Sequence, residues 1–175
     1  MKVLLTGAAG QLGNALRLQV PTGVELIATS RSGSAADGEG LIALDLADAQ
    51  ACEKAVHAHR PDWVLNAGAY TAVDKAESEP ALAAAVNAEA PAALAAALAQ
   101  TGGRLLQIST DFVFDGCQGS PYRPDQPTSP LGVYATSKAA GERAVLEALP
   151  QGRAVVLRTS WLYGPVGHNF CRTML

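Results

Sequence analysis

Aromatic side chains make up only 5 % of this 175-residue chain, so a core built on ring stacking is excluded. Cysteine is scarcer still. Cys52, Cys117 and Cys171 are odd in number, far apart and without a CxxC pair, which argues against a disulfide scaffold and fits a reducing, cytoplasmic setting. His57, His59 and His168 fit neither a metal-ligand spacing nor a catalytic triad, and no metal is expected. Positive charge is not concentrated anywhere: 13 Lys and Arg stand singly against 16 Asp and Glu, for a net charge of −3, which argues against nucleic acid as a partner. Long apolar runs are missing as well. The N-terminal run of Val3, Leu4 and Leu5 is too short for a signal peptide, and the alanine-rich stretch 81–99 is broken by Asn87, Glu89 and Pro91, so it reads as a soluble helix rather than a membrane span. What remains is 49 % hydrophobic, much of it alanine, with a mean hydropathy of +0.12, enough for one globular aliphatic core with closely packed helices.

Short apolar or β-branched runs without strict alternation fall at 3–6, 25–30, 41–44, 63–66, 105–109 and 155–159, as expected of strands buried on both faces. Between them lie helical stretches at 11–19, 49–59, 72–100 and 134–149, with Pro91 expected to kink or divide the long one. The alternation predicts an α/β fold: a Rossmann-type, doubly wound parallel sheet with helices on both faces, spanning residues 1–175 as one domain. Residues 115–133, rich in Gly and Pro, are expected to form a long functional loop. The last seven residues look like the first turns of a helix without a stop signal, so the ending reads as truncated.

Thr6-Gly7-Ala8-Ala9-Gly10-Gln11-Leu12-Gly13 follows the first strand and opens a helix. Gly7 suits the tight turn, Gly10 lets backbone approach a pyrophosphate, and Gly13 lets helix and strand pack closely, while the helix N-terminus offers free N–H groups to an anion. A glycine-rich structural turn with no ligand is the bland alternative. Arg31 stands at the end of the second strand, where an acidic residue would hold a ribose 2′-hydroxyl; a guanidinium suits a 2′-phosphate, so NADPH is preferred over NADH. Asp45, after the third strand, stands where it can cap the next helix.

Tyr134 and Lys138 are one helical turn apart and project from one face. A phenol titrates near 10, and a neighbouring ammonium is expected to lower that value; bringing it near neutrality takes roughly 4 kcal/mol, shared with a positively charged nicotinamide and exclusion of water. Such a phenol can hand its proton to a ketone as a hydride arrives. Thr110, at the C-terminal end of the fifth strand, is the candidate for holding the carbonyl oxygen, with Ser109 expected to turn into the sheet.

Thr6 to Gly13, the block Asn66-Ala67-Gly68-Ala69-Tyr70-Thr71-Ala72-Val73-Asp74-Lys75-Ala76-Glu77, Ser109 to Gly116, Pro130 to Lys138, and Arg158-Thr159-Ser160-Trp161-Leu162-Tyr163-Gly164 together resemble the dTDP-4-dehydrorhamnose reductases of the extended short-chain dehydrogenase/reductase superfamily. The resemblance implies an oxidoreductase that reduces the C4 ketone of dTDP-4-dehydro-L-rhamnose with NADPH, in dTDP-L-rhamnose synthesis, and a further small C-terminal substrate domain missing from this chain. It places Gly10, Gln11 and Leu12 against the pyrophosphate, and Arg31, Asp45 and Leu46 around the adenosine. Ala67, Gly68, Ala69 and Tyr70 would line the cofactor. Tyr134 would be the acid, Lys138 the ribose clamp, and Thr110, Asp111 and Trp161 would face the sugar nucleotide. Family members can hold Mg²⁺ at a dimer contact through glutamates, but residues 12–20 contain none; a homodimer is compatible with the sequence. A dehydratase would need an acid pair after the threonine, where Phe112 follows Asp111, and the Arg31 reading speaks against an NAD-retaining 4-epimerase. A non-catalytic NADP-binding regulatory subunit of the same fold is the alternative from another class.

Overall fold

The computed structural model describes residues 1–35, 38–167 and 169–175, so His168 lies outside the described residues. The strands are β1 (Lys2–Thr6), β2 (Glu25–Ser30), β3 (Ile42–Ala43), β4 (Trp63–Asn66), β5 (Arg104–Thr110) and β6 (Ala154–Thr159). They form one parallel sheet in the order β3-β2-β1-β4-β5-β6, which reverses direction beside β1, where the glycine-rich turn emerges. The helices are α1 (Gln11–Leu18), α2 (Ala49–His59), α3 (Val73–Ala76), α4 (Pro80–Ala84), α5 (Ala90–Thr101), α6 (Gly132–Ala148) and α7 (Phe170–Met174).

The two faces are clothed unequally. Leu4, Val64 and Leu105, adjacent in register on three strands, bury against Cys52 and Val56 of α2, Leu94 and Leu98 of α5, and Val145 of α6. Alanines at 90, 93, 95 and 97 let α5 lie close to its neighbours, as the alanine-rich composition predicts. The opposite face carries α1. Beside it runs an apolar groove of about 630 Å³ lined by Leu16, Leu26, Trp63, Leu106 and Val155, among others. Val155 and Leu157 of β6 are 46 % and 48 % exposed.

The stretch 72–100 is not one kinked helix. It first breaks at residues 77–79, where Pro80 opens α4, and then runs through a π-helical turn, Ala85–Glu89, into α5. The widened turn removes the conflict that Pro91 would create in a regular helix, since proline has no N–H to give. It also leaves the Asn87 carbonyl facing α6, where Gly141 meets it so closely that a Cβ would collide with that oxygen. Residues 80–101 are long and apolar enough by composition to cross a membrane, but half of the most apolar window is buried, against α2 and α6. The third strand is shorter than expected, and the helix expected from Tyr134 begins at Gly132.

Candidate active site

The C-terminal ends of β1, β4 and β5 open into a cleft of about 520 Å³. The glycine turn forms one wall. Gly7 has φ +64°, and a Cβ there would lie 2.5 Å from the Gly68 Cα, so the β1 turn and the segment after β4 touch backbone to backbone. Gly10 is the N-cap of α1, with no side chain capping the helix and no acidic residue in its first turn, which leaves the N–H groups available to an anion. Gly13 acts from beneath: it is buried, and a Cβ would run into the Gly7 carbonyl, so its role is packing rather than lining the cleft. Gln11 and Leu12 do line it. The Gln11 side-chain oxygen Oε1 also accepts a hydrogen bond from Asn169 Nδ2 at 2.8 Å, which ties the turn to the N-cap of α7.

A second pocket continues past Gly7 and Gly68 and is lined by Arg31, Asp45, Leu46, Ala69 and Tyr70. The expected adenosine-side residues are therefore together. Asp45 does not cap α2: Asp48 does, accepting from the Ala51 N–H at 2.9 Å, while Asp45 accepts from Ala47 in a local turn. Tyr70 takes a different part from a simple lining residue. Its hydroxyl donates to Glu79 at 2.8 Å, and both its backbone N–H and carbonyl are gripped by the Asn87 side chain, at 2.9 and 3.0 Å.

The reacting end lies between β5 and α6. Thr110 ends β5 and caps the 3₁₀ turn Asp111–Val113, accepting from the Phe112 N–H at 3.2 Å. Its hydroxyl donates to Asp111 at 3.1 Å and lies beside the Tyr134 phenol. Phe112 packs edge-on against Tyr134, with ring centroids 6.0 Å apart, so an apolar ring stands where a dehydratase would need an acid. Asp111 is further fixed by the Ser160 hydroxyl at 2.7 Å, while Trp161 is 73 % exposed at the cleft mouth, edge-on to Phe170. Lys138 is buried, and its ammonium donates to the Ile108 carbonyl at 2.7 Å. Burial pulls its pKa down to about 8.

One expectation is reversed. The Tyr134 phenol sits above its ordinary range, because burial outweighs the favourable bond from Thr110 and the Asp111 charge adds to the rise. The polypeptide alone does not supply the lowering expected of Lys138, whose nitrogen is turned to the Ile108 carbonyl.

Four residues that the sequence reading did not single out support the site. Asn87 holds Tyr70 and donates to the Ser137 hydroxyl at 3.1 Å; a lone asparagine inside an alanine run was its only signal. Glu77 caps α6 from a distance, accepting from the Val133 N–H at 2.8 Å, where α6 has no side-chain cap of its own. Asn66 and Gln107 form a buried row with Thr6 across three strands: Thr6 donates to Asn66 (2.5 Å), Asn66 to Gln107 (2.7 Å), and Gln107 to the same Ile108 carbonyl that holds Lys138 (2.8 Å). Ser109, expected to turn into the sheet, is buried but lines the cleft wall beside Thr110, and its hydroxyl has no partner among the described residues.

These features fit a dinucleotide. The cradle is made of glycines that a Cβ would fill, an uncapped helix end faces it, and an orphaned hydroxyl points to a ligand that would satisfy it. Fold and cleft are those of a Rossmann-type domain with a Thr–Tyr–Lys site. The chain belongs to the family described as RmlD substrate binding domain, which matches residues 1–175. It is similar to a dTDP-4-dehydrorhamnose reductase of Streptomyces griseus, 49 % identical over 98 % of this chain and 53 % of that protein. A probable dTDP-4,6-dihydroxy-2-methyloxan-3-one 4-ketoreductase of Streptomyces antibioticus is 46 % identical over 100 % and 56 %. Among solved structures, the dTDP-4-dehydrorhamnose reductase of Bacillus anthracis in complex with NADP superposes with a TM-score of 0.87 at 34 % identity, over 99 % of this chain and 58 % of that one. The chain thus spans about half the length of the relatives it matches.

Proposed function

We propose that the protein to which this chain belongs reduces the C4 ketone of dTDP-4-dehydro-L-rhamnose with NADPH, and that residues 1–175 carry its cofactor site and its acid. The observation that carries this is the meeting of Thr110, Tyr134 and Lys138 in the same cleft as the glycine cradle. NADPH, when bound, supplies the hydride. The Thr110 hydroxyl is suited to donate to the substrate carbonyl oxygen, and Tyr134 to give that oxygen its proton as negative charge grows there. Lys138, charged for the most part at neutral pH with a pKa of about 8, is suited to clamp the ribose, and would favour the phenolate left behind only on turning from the Ile108 carbonyl. Arg31 would meet the 2′-phosphate from the second pocket.

The test is to follow NADPH absorbance with the 4-keto sugar nucleotide, using this chain and the longer natural protein. Oxidation by the longer protein supports the reading. NADPH binding without oxidation would overturn it in favour of a non-catalytic binding subunit. A second reading, a ketoreductase for another dTDP-linked keto sugar, is favoured by the similarity to the Streptomyces antibioticus protein. A higher kcat/KM on such a substrate would select it.

A further inference from the structure

Glu142 is a buried carboxylate on α6, one helical turn beyond Lys138, and no step of the proposed reduction uses it. Residues four apart share a helix face. From β6, Arg158 meets Glu142 through Nε at 3.0 and 3.2 Å and through Nη2 at 2.6 Å, the forked geometry of a strong charged pair. Its other nitrogen, Nη1, donates to the Pro124 carbonyl at 3.1 Å. The guanidinium also lies 4.9 Å over the Phe114 ring, which stacks at 4.4 Å on Tyr122, whose hydroxyl donates to Asp115 at 2.6 Å. One side chain therefore joins β6, α6, and the start and middle of the proline-rich loop that leads to Tyr134.

We propose that Glu142 and Arg158 are a positioning pair for the candidate catalytic helix: Glu142 supplies the buried anion that keeps the Lys138 ammonium in its seat, and Arg158 fixes that anion while clamping the loop. A buried charge is costly unless it is paired, and among the described residues Lys138 has no carboxylate in hydrogen-bond contact, only the Ile108 carbonyl. Glu142 acts on it through space, opposing the effect of burial. Among the described residues, the other charged and titratable groups facing this region are Tyr134 of α6, Asp111 after β5, Arg158 of β6 and, from the loop, Tyr122 and Asp115.

The pair rests on Lys138 being the working lysine of the proposed reductase, but its test needs no turnover. The chain has four lysines, Lys2, Lys54, Lys75 and Lys138, so metabolic labelling with [6-¹³C]lysine gives a small set of resonances, the Lys138 signal being the one missing from Lys138→Met. A merely structural pair would affect both partners' variants alike; an electrostatic one must act with opposite sign. Glu142→Gln is expected to lower the Lys138 titration midpoint, and Arg158→Gln to raise it, each by about one pH unit. Midpoints that move in the same direction, or do not move, would overturn the proposal. Should a single variant fail to fold, Arg158→Lys keeps the charge beside Glu142 and carries the test: the midpoint should stay put while the loop amides exchange faster, and a rise like that expected of Arg158→Gln would sink the idea. NADPH binding, followed separately by fluorescence, tells this failure from that of the reductase reading, since loss of binding in the unaltered chain leaves the lysine midpoints standing.

Discussion

At the scale of single residues, the site separates groups that react from groups that hold. Tyr134→Phe in the longer protein should abolish turnover and leave NADPH affinity within about twofold, because the lost hydroxyl lies beside Thr110, at the far end of the cleft from the glycine cradle. Retained turnover would remove Tyr134 as the acid. Arg31→Ala should weaken NADPH by about 2 kcal/mol, roughly thirtyfold, with NADH little changed; calorimetric titration with both cofactors checks this, and equal losses would end the 2′-phosphate reading. Lys138 also carries a stability signature. Its folded pKa, about 8, lies below its ordinary value of 10.5, so between those limits the unfolded chain holds more protons and stability rises with pH. Below about pH 8 the buried charge costs on the order of 3 kcal/mol. Cys52, pushed up to about 12 by burial, works in the opposite sense above about pH 9, so the comparison is with Lys138→Met, which shares that cysteine. In urea titrations the variant should be the more stable at pH 7, and its advantage should shrink as pH rises through 8 to 10.5; a constant difference would contradict the assignment. Much of this scale was legible, since glycines, Tyr134, Lys138 and Thr110 announce chemistry by type and spacing. The direction of the Tyr134 shift was not, because burial and the aim of the Lys138 nitrogen are tertiary facts.

The elements that carry these residues are held by contacts that spacing does not reveal. The π-helical turn Ala85–Glu89 lets Pro91 sit in an otherwise continuous run, and the Asn87 carbonyl it presents is met by Gly141 of α6. Gly141→Ala should therefore cost about 1–3 kcal/mol although alanine is the better helix former, because backbone must shift to admit the methyl group. Thermal unfolding checks the sign, and a stabilised variant would show the approach to be looser than described. Here the sequence misled. Proline in a helical run predicts a kink at that proline, whereas the chain adjusts one turn earlier and breaks first at 77–79. The long-range cap from Glu77 to Val133 was equally invisible, since its two ends are 56 residues apart. Strands fared better, because continuous aliphatic runs bounded by turn residues have few other structures open to them.

For the molecule as a whole, the sheet is asymmetric, thick with α2, α5 and α6 on one face and served by α1 on the other. An apolar groove of about 630 Å³ on a surface this small should bind a hydrophobic dye such as ANS in the folded state. Val155→Lys, which places a charge in that groove, should reduce the fluorescence without lowering the melting temperature by more than a few degrees. Undiminished fluorescence would put the dye elsewhere. Alternation of strands and helices predicted the doubly wound sheet, but not how unevenly its faces are covered, since periodicity says which side of a helix is apolar and not how much sheet it must shade. The buried row of Thr6, Asn66 and Gln107 has a consequence of another kind. Parallel strands of near-uniform aliphatic character carry little to distinguish one alignment from the next. With Thr6 opposite Asn66 and Asn66 opposite Gln107, every link of the row is satisfied; a slide of any one strand would strand a buried amide or hydroxyl against carbon. The row thus serves as a register key, paid in polar burial, that tells β1, β4 and β5 where to stop as the sheet assembles.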